Sequence, residues 1–193
     1  MEQNAQRELR EVSPEWTLGE LMARIAKALV SDGPALAFSS TSFTNVPPRI
    51  SIVVKTTGSS GVAKEVGLSS GALLSSAKAS HKFLGAEFGN TWSLLLPLTH
   101  IAGINVLIRS LELGTEPIGL RNYEGEYPHA DFTAIVPTQL FRALNGDDRL
   151  LRHLQAAKAV LVGGAALAPE VQMQASAADA KPAIDSVPVP QPN

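Results

Sequence analysis

Short runs suited to buried strands, at residues 35–38, 50–54, 66–68, 92–98, 116–120, 132–136 and 159–162, alternate along this chain with segments of helical periodicity. Such alternation constrains the fold more than any other feature. A strand flanked by helices on both sides has no wet face, so it reads as a continuous apolar run, and residues 92–98 do so most clearly. The order of elements predicts an α/β fold with a largely parallel sheet under covering helices.

The helical segments carry their own punctuation. Thr17 and Glu20 have capping-box spacing, and Leu18, Leu21, Met22, Ile25 and Leu29 follow at helical period until Asp32-Gly33-Pro34. Ser69 or Ser70 can cap a helix reaching about Leu84, with Gly85 closing it. A helix at about 102–113 stops at Gly114, Pro137 and Thr138 open one to Leu144, a short one covers 148–154, and Pro169 suits the first position of the last. The charged residues 1–15 predict a flexible lead-in. Beyond Ala175 the apolar periodicity fades and Pro182, Pro188, Pro190 and Pro192 accumulate, so residues 180–193 predict a disordered tail.

Composition narrows the function. The chain has 193 residues, enough for one sizeable domain or a piece of a larger one, with 45% hydrophobic and 18% charged residues. A net charge of −2 offers no basic stripe for nucleic acid. The absence of cysteine excludes disulfides, thiolate catalysis and cysteine-ligated metals. No segment approaches the roughly 20 apolar residues of a membrane span. The polar N-terminus has no signal-peptide core, and the expectation is a cytoplasmic protein.

Between two of the strand candidates lies Lys55-Thr56-Thr57-Gly58-Ser59-Ser60-Gly61-Val62-Ala63-Lys64. Glycines let successive backbone N–H groups converge on an anion, hydroxyls add donors and Lys64 adds a mobile positive charge, which suits nucleotide phosphates. It is not a Walker A loop, because Gly58 and Gly61 are too close and Glu65 follows Lys64. The same residues also suit an ordinary solvated turn. Two further residues stand out. His100 closes the run 92–98 just before a helix, where α/β proteins bind ligands, though a strand-to-helix turn can satisfy a histidine unaided. Arg109 interrupts an otherwise apolar helix. It can snorkel to solvent or pair with Glu112, or it can stand at a pocket wall and bind a carboxylate with both arms of its guanidinium.

The loop resembles the phosphate-binding loop of the acyl-adenylate-forming enzymes, T-S-G-T-T-G-x-P-K-G. Thr56, Thr57, Gly58, Ser59, Ser60, Gly61 and Lys64 fall on the family's positions, and Ala63 replaces its proline. Leu96-Pro97-Leu98-Thr99-His100-Ile101-Ala102-Gly103 resembles the family's L-P-x-x-H-x-x-G segment. The segments 106–111, 114–117, 136–140 and 161–167 are similar to those of short o-succinylbenzoate–CoA ligases, and the likeness covers about residues 31–172.

The resemblance implies a partial AMP-binding ligase domain over residues 16–179, belonging to menaquinone biosynthesis. ATP would sit on the loop, with Lys64 and His100 serving catalysis. His100 and Arg109 would hold the o-succinylbenzoate carboxylates, and Gly163, Gly164 and Ala165 would line the pocket between acyl group and adenine. It also implies Mg2+ and coenzyme A. The family's later tyrosine-glycine segment, its acidic adenine and magnesium residue, its ribose aspartate and its C-terminal lysine do not follow Leu167. The expectation is therefore the front half of a ligase, inactive alone, with no metal ligand assigned. The alternative is a non-catalytic remnant or nucleotide-binding scaffold completed by another chain.

Weaker patterns remain. Ser75-Ser76-Ala77-Lys78 has the S-x-x-K spacing of penicillin-binding hydrolases without their companion motifs. His81, His129 and His153 have no metal-ligand spacing and read as surface residues. Asp147-Asp148 reads as a helix-opening pair.

Overall fold

The computed structural model describes residues 6–57, 63–164, 167–180 and 182–184. Its elements run β1 (Arg7–Glu11), α1 (Leu18–Leu29), β2 (Ala35–Ala37), β3 (Asn45–Val46), β4 (Ile50–Thr57), β5 (Ala63–Ser69), α2 (Ser70–Leu84) and β6 (Trp92–Leu94). They continue with α3 (Ile101–Glu112), β7 (Ile118–Gly119), β8 (Phe132–Ile135), α4 (Pro137–Leu144), α5 (Asp148–Ala156), β9 (Ala159–Val162), α6 (Pro169–Ala177) and β10 (Pro182–Ile184). The fold is α/β, as the alternation predicts.

The strands divide into two sheets rather than one. A five-stranded sheet has the order β3-β1-β2-β4-β5, and a second has the order β10-β9-β8-β6-β7. The second is parallel throughout. The first is mixed: β1, β2 and β4 are parallel, whereas β3 and β5 run antiparallel to their neighbours. Residues 58–62 separate β4 from β5, far fewer than the dozen or so that a parallel crossover needs, so these strands pair as a hairpin.

Strand parity shows where the core lies. Ile52 and Val54 of β4 join Leu21, Ile25, Leu73, Trp92, Ile104, Leu107 and Phe132 in one buried cluster that ties both sheets to α1, α2 and α3. Val53, between them, faces the other way onto Leu9, Ala35 and Ala37. In β9, Leu161 joins the central cluster, while Val160 and Val162 pack with Leu140, Leu150 and Leu154 under α4 and α5. Successive side chains point to opposite faces, so strands covered on both sides are apolar at most positions, with Ser51, Ser93 and Thr133 as buried polar exceptions.

Three sequence expectations are corrected here. Residues 7–11 belong to a strand, not to a flexible lead-in. Leu9 is buried opposite Ala35, and the Arg7 guanidinium donates to the carbonyls of Gly33 (2.8 Å), Ala28 (2.8 Å) and Ile50 (3.1 Å). Residues 182–184 of the expected disordered tail form β10, paired in parallel with Val160–Val162; proline is tolerated on such an edge strand, where one side of the ladder needs no donor. Residues 181 and 185–193 lie outside the described residues. Of the three histidines read as surface residues, His81 and His153 are buried and His129 is exposed.

The capping box at α1 is present as its spacing predicts. Thr17 Oγ1 accepts from the Glu20 amide (3.2 Å), and Glu20 Oε2 accepts from the Thr17 amide (2.8 Å). Replacing Thr17 with Ala should cost about 1 kcal/mol. In urea unfolding this appears as a lower midpoint with an unchanged slope, because the buried area is the same.

Candidate functional site

Of the Thr56–Gly61 motif, Thr56 and Thr57 end β4, whereas Gly58, Ser59, Ser60 and Gly61 lie outside the described residues, so the β4–β5 stem is what the structure describes. Directly opposed residues of an antiparallel pair share a face. Thr56 opposes Lys64, as Val54 opposes Val66, and the Thr57 backbone pairs with Ala63. Thr56 Oγ1 donates to the Lys64 carbonyl at 3.4 Å. Lys64 is exposed. Lys55 opposes Glu65 on the other face, where its ammonium donates to the Ser40 carbonyl and lies 3.9 Å from Glu65. An open cavity of about 720 Å³ lies between the hairpin stem and Ser40, Thr41, Ser42 and Phe43.

His100 stands at the carboxyl end of the second sheet. The sequence reading extends its strand to residue 98, but β6 stops at Leu94, and a turn follows in which the His100 amide donates to the Pro97 carbonyl (3.3 Å). His100 is the N-cap of α3, and its exposed ring makes no capping hydrogen bond. Gly103 explains the tightness of this turn. A Cβ there would lie 2.4 Å from the Pro97 oxygen and 3.0 Å from the Leu96 oxygen, so only glycine lets α3 sit this close.

Two strands away, the Gly163 amide donates to the Ile135 carbonyl (3.1 Å) as β9 ends. Gly164 adopts a left-handed backbone with φ of 90° beside the Val136 side chain. Ala165 lies outside the described residues. Next to this turn, Pro137 opens α4 and Gln139 accepts from the Val136 amide at 3.1 Å. His100 and the Gly163-Gly164 turn thus occupy the carboxyl ends of strands in one parallel sheet, the position at which open α/β sheets bind ligands.

Arg109 is elsewhere. Nine residues along α3 amount to roughly 13 Å of rise and half a turn of rotation from His100. The Arg109 side chain neither snorkels nor reaches outward; it is 7% exposed. Its guanidinium donates to Ser80 Oγ (3.1 Å) and lies 5.1 Å from the ring centre of Trp92, the first residue of β6. Glu112 meets Lys78 at 3.9 Å. Burial, and then the charge of Arg109, hold the His81 imidazole below its ordinary pKa. Ser80 was not singled out from sequence, although a signal exists: it stands on the buried stripe of Leu73 and Ala77, where a polar side chain needs a partner.

The weaker patterns resolve simply. Ser75 is exposed on α2 and Lys78 is engaged by Glu112, which removes the S-x-x-K reading. Asp147 caps α5, accepting from the Leu150 amide at 3.0 Å. Among the described residues no group of histidine, aspartate and glutamate side chains could hold a metal ion, and no helix is long and apolar enough to cross a membrane.

No family model matches the chain. It is 36% identical over 141 residues to a probable 2-succinylbenzoate–CoA ligase of Mycobacterium tuberculosis, an alignment covering 67% of this chain and 36% of the relative. It is 33% identical over 131 residues to the 2-succinylbenzoate–CoA ligase of Escherichia coli, covering 67% of this chain and 28% of the relative. Among solved structures, an AMP-forming acyl-CoA synthetase-like protein of Dyadobacter fermentans superposes with a TM-score of 0.57 at 29% identity, covering 64% of this chain and 37% of that one. The chain thus spans about a third of the length of the curated relatives it matches.

Introducing a methyl group at Gly103 tests whether the tight turn sets the site. Gly103→Ala should destabilise the chain by about 1–3 kcal/mol, since the obstructing atoms are backbone. It should also shift the His100 imidazole resonances in a proton–carbon NMR spectrum while leaving those of His129 in place.

Proposed function

Because this chain is a relative of the 2-succinylbenzoate–CoA ligases over about a third of their length, we propose that it carries the phosphate-binding and carboxylate-binding part of an AMP-forming acyl-CoA ligase. The observation that supports this most directly is the Gly103–Pro97 contact. It sets His100 at the carboxyl edge of the parallel sheet, on the same edge as the Gly163-Gly164 turn.

In the proposed reaction a carboxylate oxygen attacks the α-phosphorus of ATP. The bond to the bridging oxygen breaks, and pyrophosphate leaves with the electron pair. The thiolate of coenzyme A then attacks the acyl carbon, and AMP departs. Thr56, Thr57, Gly58, Ser59, Ser60 and Gly61 would donate to the β- and γ-phosphates, and Lys64 would offset the charge that builds as pyrophosphate separates, a preorganised electrostatic role. The exposed Lys64 is available for this, whereas Lys55 is occupied by Ser40 and Glu65. His100 would orient the reacting carboxylate, and Gly163, Gly164 and Ala165 would border the acyl group.

Arg109 is proposed to read the second carboxylate of o-succinylbenzoate. Its Ser80 contact holds the guanidinium fork in one orientation. The described residues include no carboxylate cluster for magnesium, so no step is assigned to that ion.

Three measurements test this reading. Calorimetry should detect ATP or pyrophosphate binding, and Lys64→Ala should weaken it by about 1.5–3 kcal/mol, the usual worth of a hydrogen bond to a charged group. Equal affinity in both proteins would remove Lys64 from the site. Arg109→Met should weaken o-succinylbenzoate binding with the fold preserved, and Arg109→Lys should retain part of it as a point charge. An Arg109→Met chain that unfolds, or binds unchanged, would make this arginine structural. Mass spectrometry of the chain with ATP, magnesium, o-succinylbenzoate and coenzyme A then separates a binding scaffold, which yields no acyl-CoA, from a complete catalyst.

A further inference from the structure

The connection from β7 to β8 crosses β6 without a helix, although parallel strands are usually joined by one. In place of a helix, residues 121–131 form a strap fastened to α5 by side chains. Arg149 donates to the Tyr123 carbonyl (2.6 Å), and its guanidinium covers the Tyr127 ring at 3.7 Å. Arg152 holds both oxygens of Glu126, at 2.6 and 3.2 Å. At the centre is His153, buried, with its ring edge-on to Tyr127 at 5.4 Å. Its Nε2 lies 2.9 Å from Ser93 Oγ on β6, and the ring also hydrogen-bonds the Pro128 carbonyl on the strap. One imidazole therefore links sheet, strap and helix.

The strap also borders a groove. Arg121 and Tyr123 form one side of a cavity of about 490 Å³ whose other side includes Trp16, Leu94 and Leu98, and Leu98 lies two residues before His100. We propose that the strap is a proton-sensitive clasp: protonation of His153 unfastens residues 121–131 from α5 and opens the groove beside His100.

The chemistry follows from the hydrogen bonds. A neutral imidazole has one N–H and one lone pair, which match the Pro128 carbonyl as acceptor and the Ser93 hydroxyl as donor. A second proton removes the lone pair and leaves a charge out of reach of water. The ionisable groups on the elements around it are Arg121, Tyr123, Glu124, Glu126, Tyr127, His129 and Asp131 on the strap and Asp148, Arg149 and Arg152 on α5, and β6 contributes the uncharged Ser93. His129 opposes a further positive charge, while Glu126 is already engaged by Arg152 and Asp131 by Lys158. Burial, and then His129, push the His153 pKa down to about 4, with the Pro128 bond acting in the opposite direction. With the strap released the ring titrates near its ordinary value of about 6.5. The folded value is the depressed one, so the fastened state is fully favoured above about pH 6.5 and loses ground as pH falls towards 4. At pH 5.0 the unfastened population should exceed that at pH 7.5 by about 30-fold.

Hydrogen–deuterium exchange of the full chain at pH 5.0 and 7.5, corrected for the intrinsic exchange rate, reads this directly. Protection of residues 121–131 should fall by about 30-fold at the lower pH while α1 and α3 keep theirs, and His153→Gln should abolish the difference. Should His153→Gln fail to fold, Arg149→Met serves. It should loosen the strap at pH 7.5 yet leave the pH step in place. Equal strap protection at both pH values, a loss spread evenly over α1 and α3, or a pH step missing from Arg149→Met would overturn the proposal.

Discussion

Where α3 passes the Leu96-Pro97 turn, Gly103 has no side chain, and the contact made possible there governs much of what surrounds it. The helix settles against the chain leaving β6, so its N-terminus opens at the carboxyl edge of the second sheet and its C-terminus returns to the level of Trp92. Ile104, Val106, Leu107 and Ile108 then fill the space between the sheets at almost no exposure. Had α3 stood a methyl group further out, that layer would open and the dispersion contacts of four fully buried side chains would weaken together. The same docking separates His100 from Arg109, one at each end of the helix. A substrate spanning both would have to run along α3 rather than across it.

Two of the polar groups inside this core, Arg109 and His153, are held by matched partners. An isolated guanidinium in such a place would be far too costly. At Arg109 the cost is offset by the Ser80 hydroxyl and the face of Trp92. The neighbouring imidazole of His81 accordingly stays neutral. At His153 the solution is a neutral ring with one donor and one acceptor position occupied. The two buried histidines lie on opposite sides of the second sheet, His81 near the central cluster and His153 under the strap. A parallel sheet covered on both faces thus excludes water from two separate polar contacts.

Local chemistry was the legible part of this chain. Thr17 and Glu20 satisfy each other's amides without help from elsewhere, so their spacing alone announces the start of α1. Gly85 ends α2 in a left-handed conformation that few other residues adopt, and Pro137 and Pro169 open α4 and α6 where their missing N–H groups are not needed. The short apolar runs marked β2, β4, β8 and β9 because burial on two faces favours apolar side chains at most positions. His100 and the Gly163-Gly164 turn were legible as motifs, and the structure has them on one sheet edge. The Gly58–Gly61 part of the loop was legible in the same way, but as a motif only.

The rest depended on neighbours distant in sequence. Strand β1 is disguised by Arg7, Glu8 and Arg10, and it forms because Ala35–Ala37 and the Gly33, Ala28 and Ile50 carbonyls receive it. Strand β10 exists only as an addition to the edge of β9. The burial of His81 and His153 cannot be read from helices that look polar in part, since Trp92 and the strap that cover them come from other segments. By itself the sequence determined the type of most elements, the caps, the α/β class and the motif residues, because each rests on contacts within a few positions. The tertiary structure decided the division into two sheets, the position of Arg109 against Ser80 and the fastening of the strap to α5. Each of these requires residues tens of positions apart to meet, and only the packed core brings them within reach.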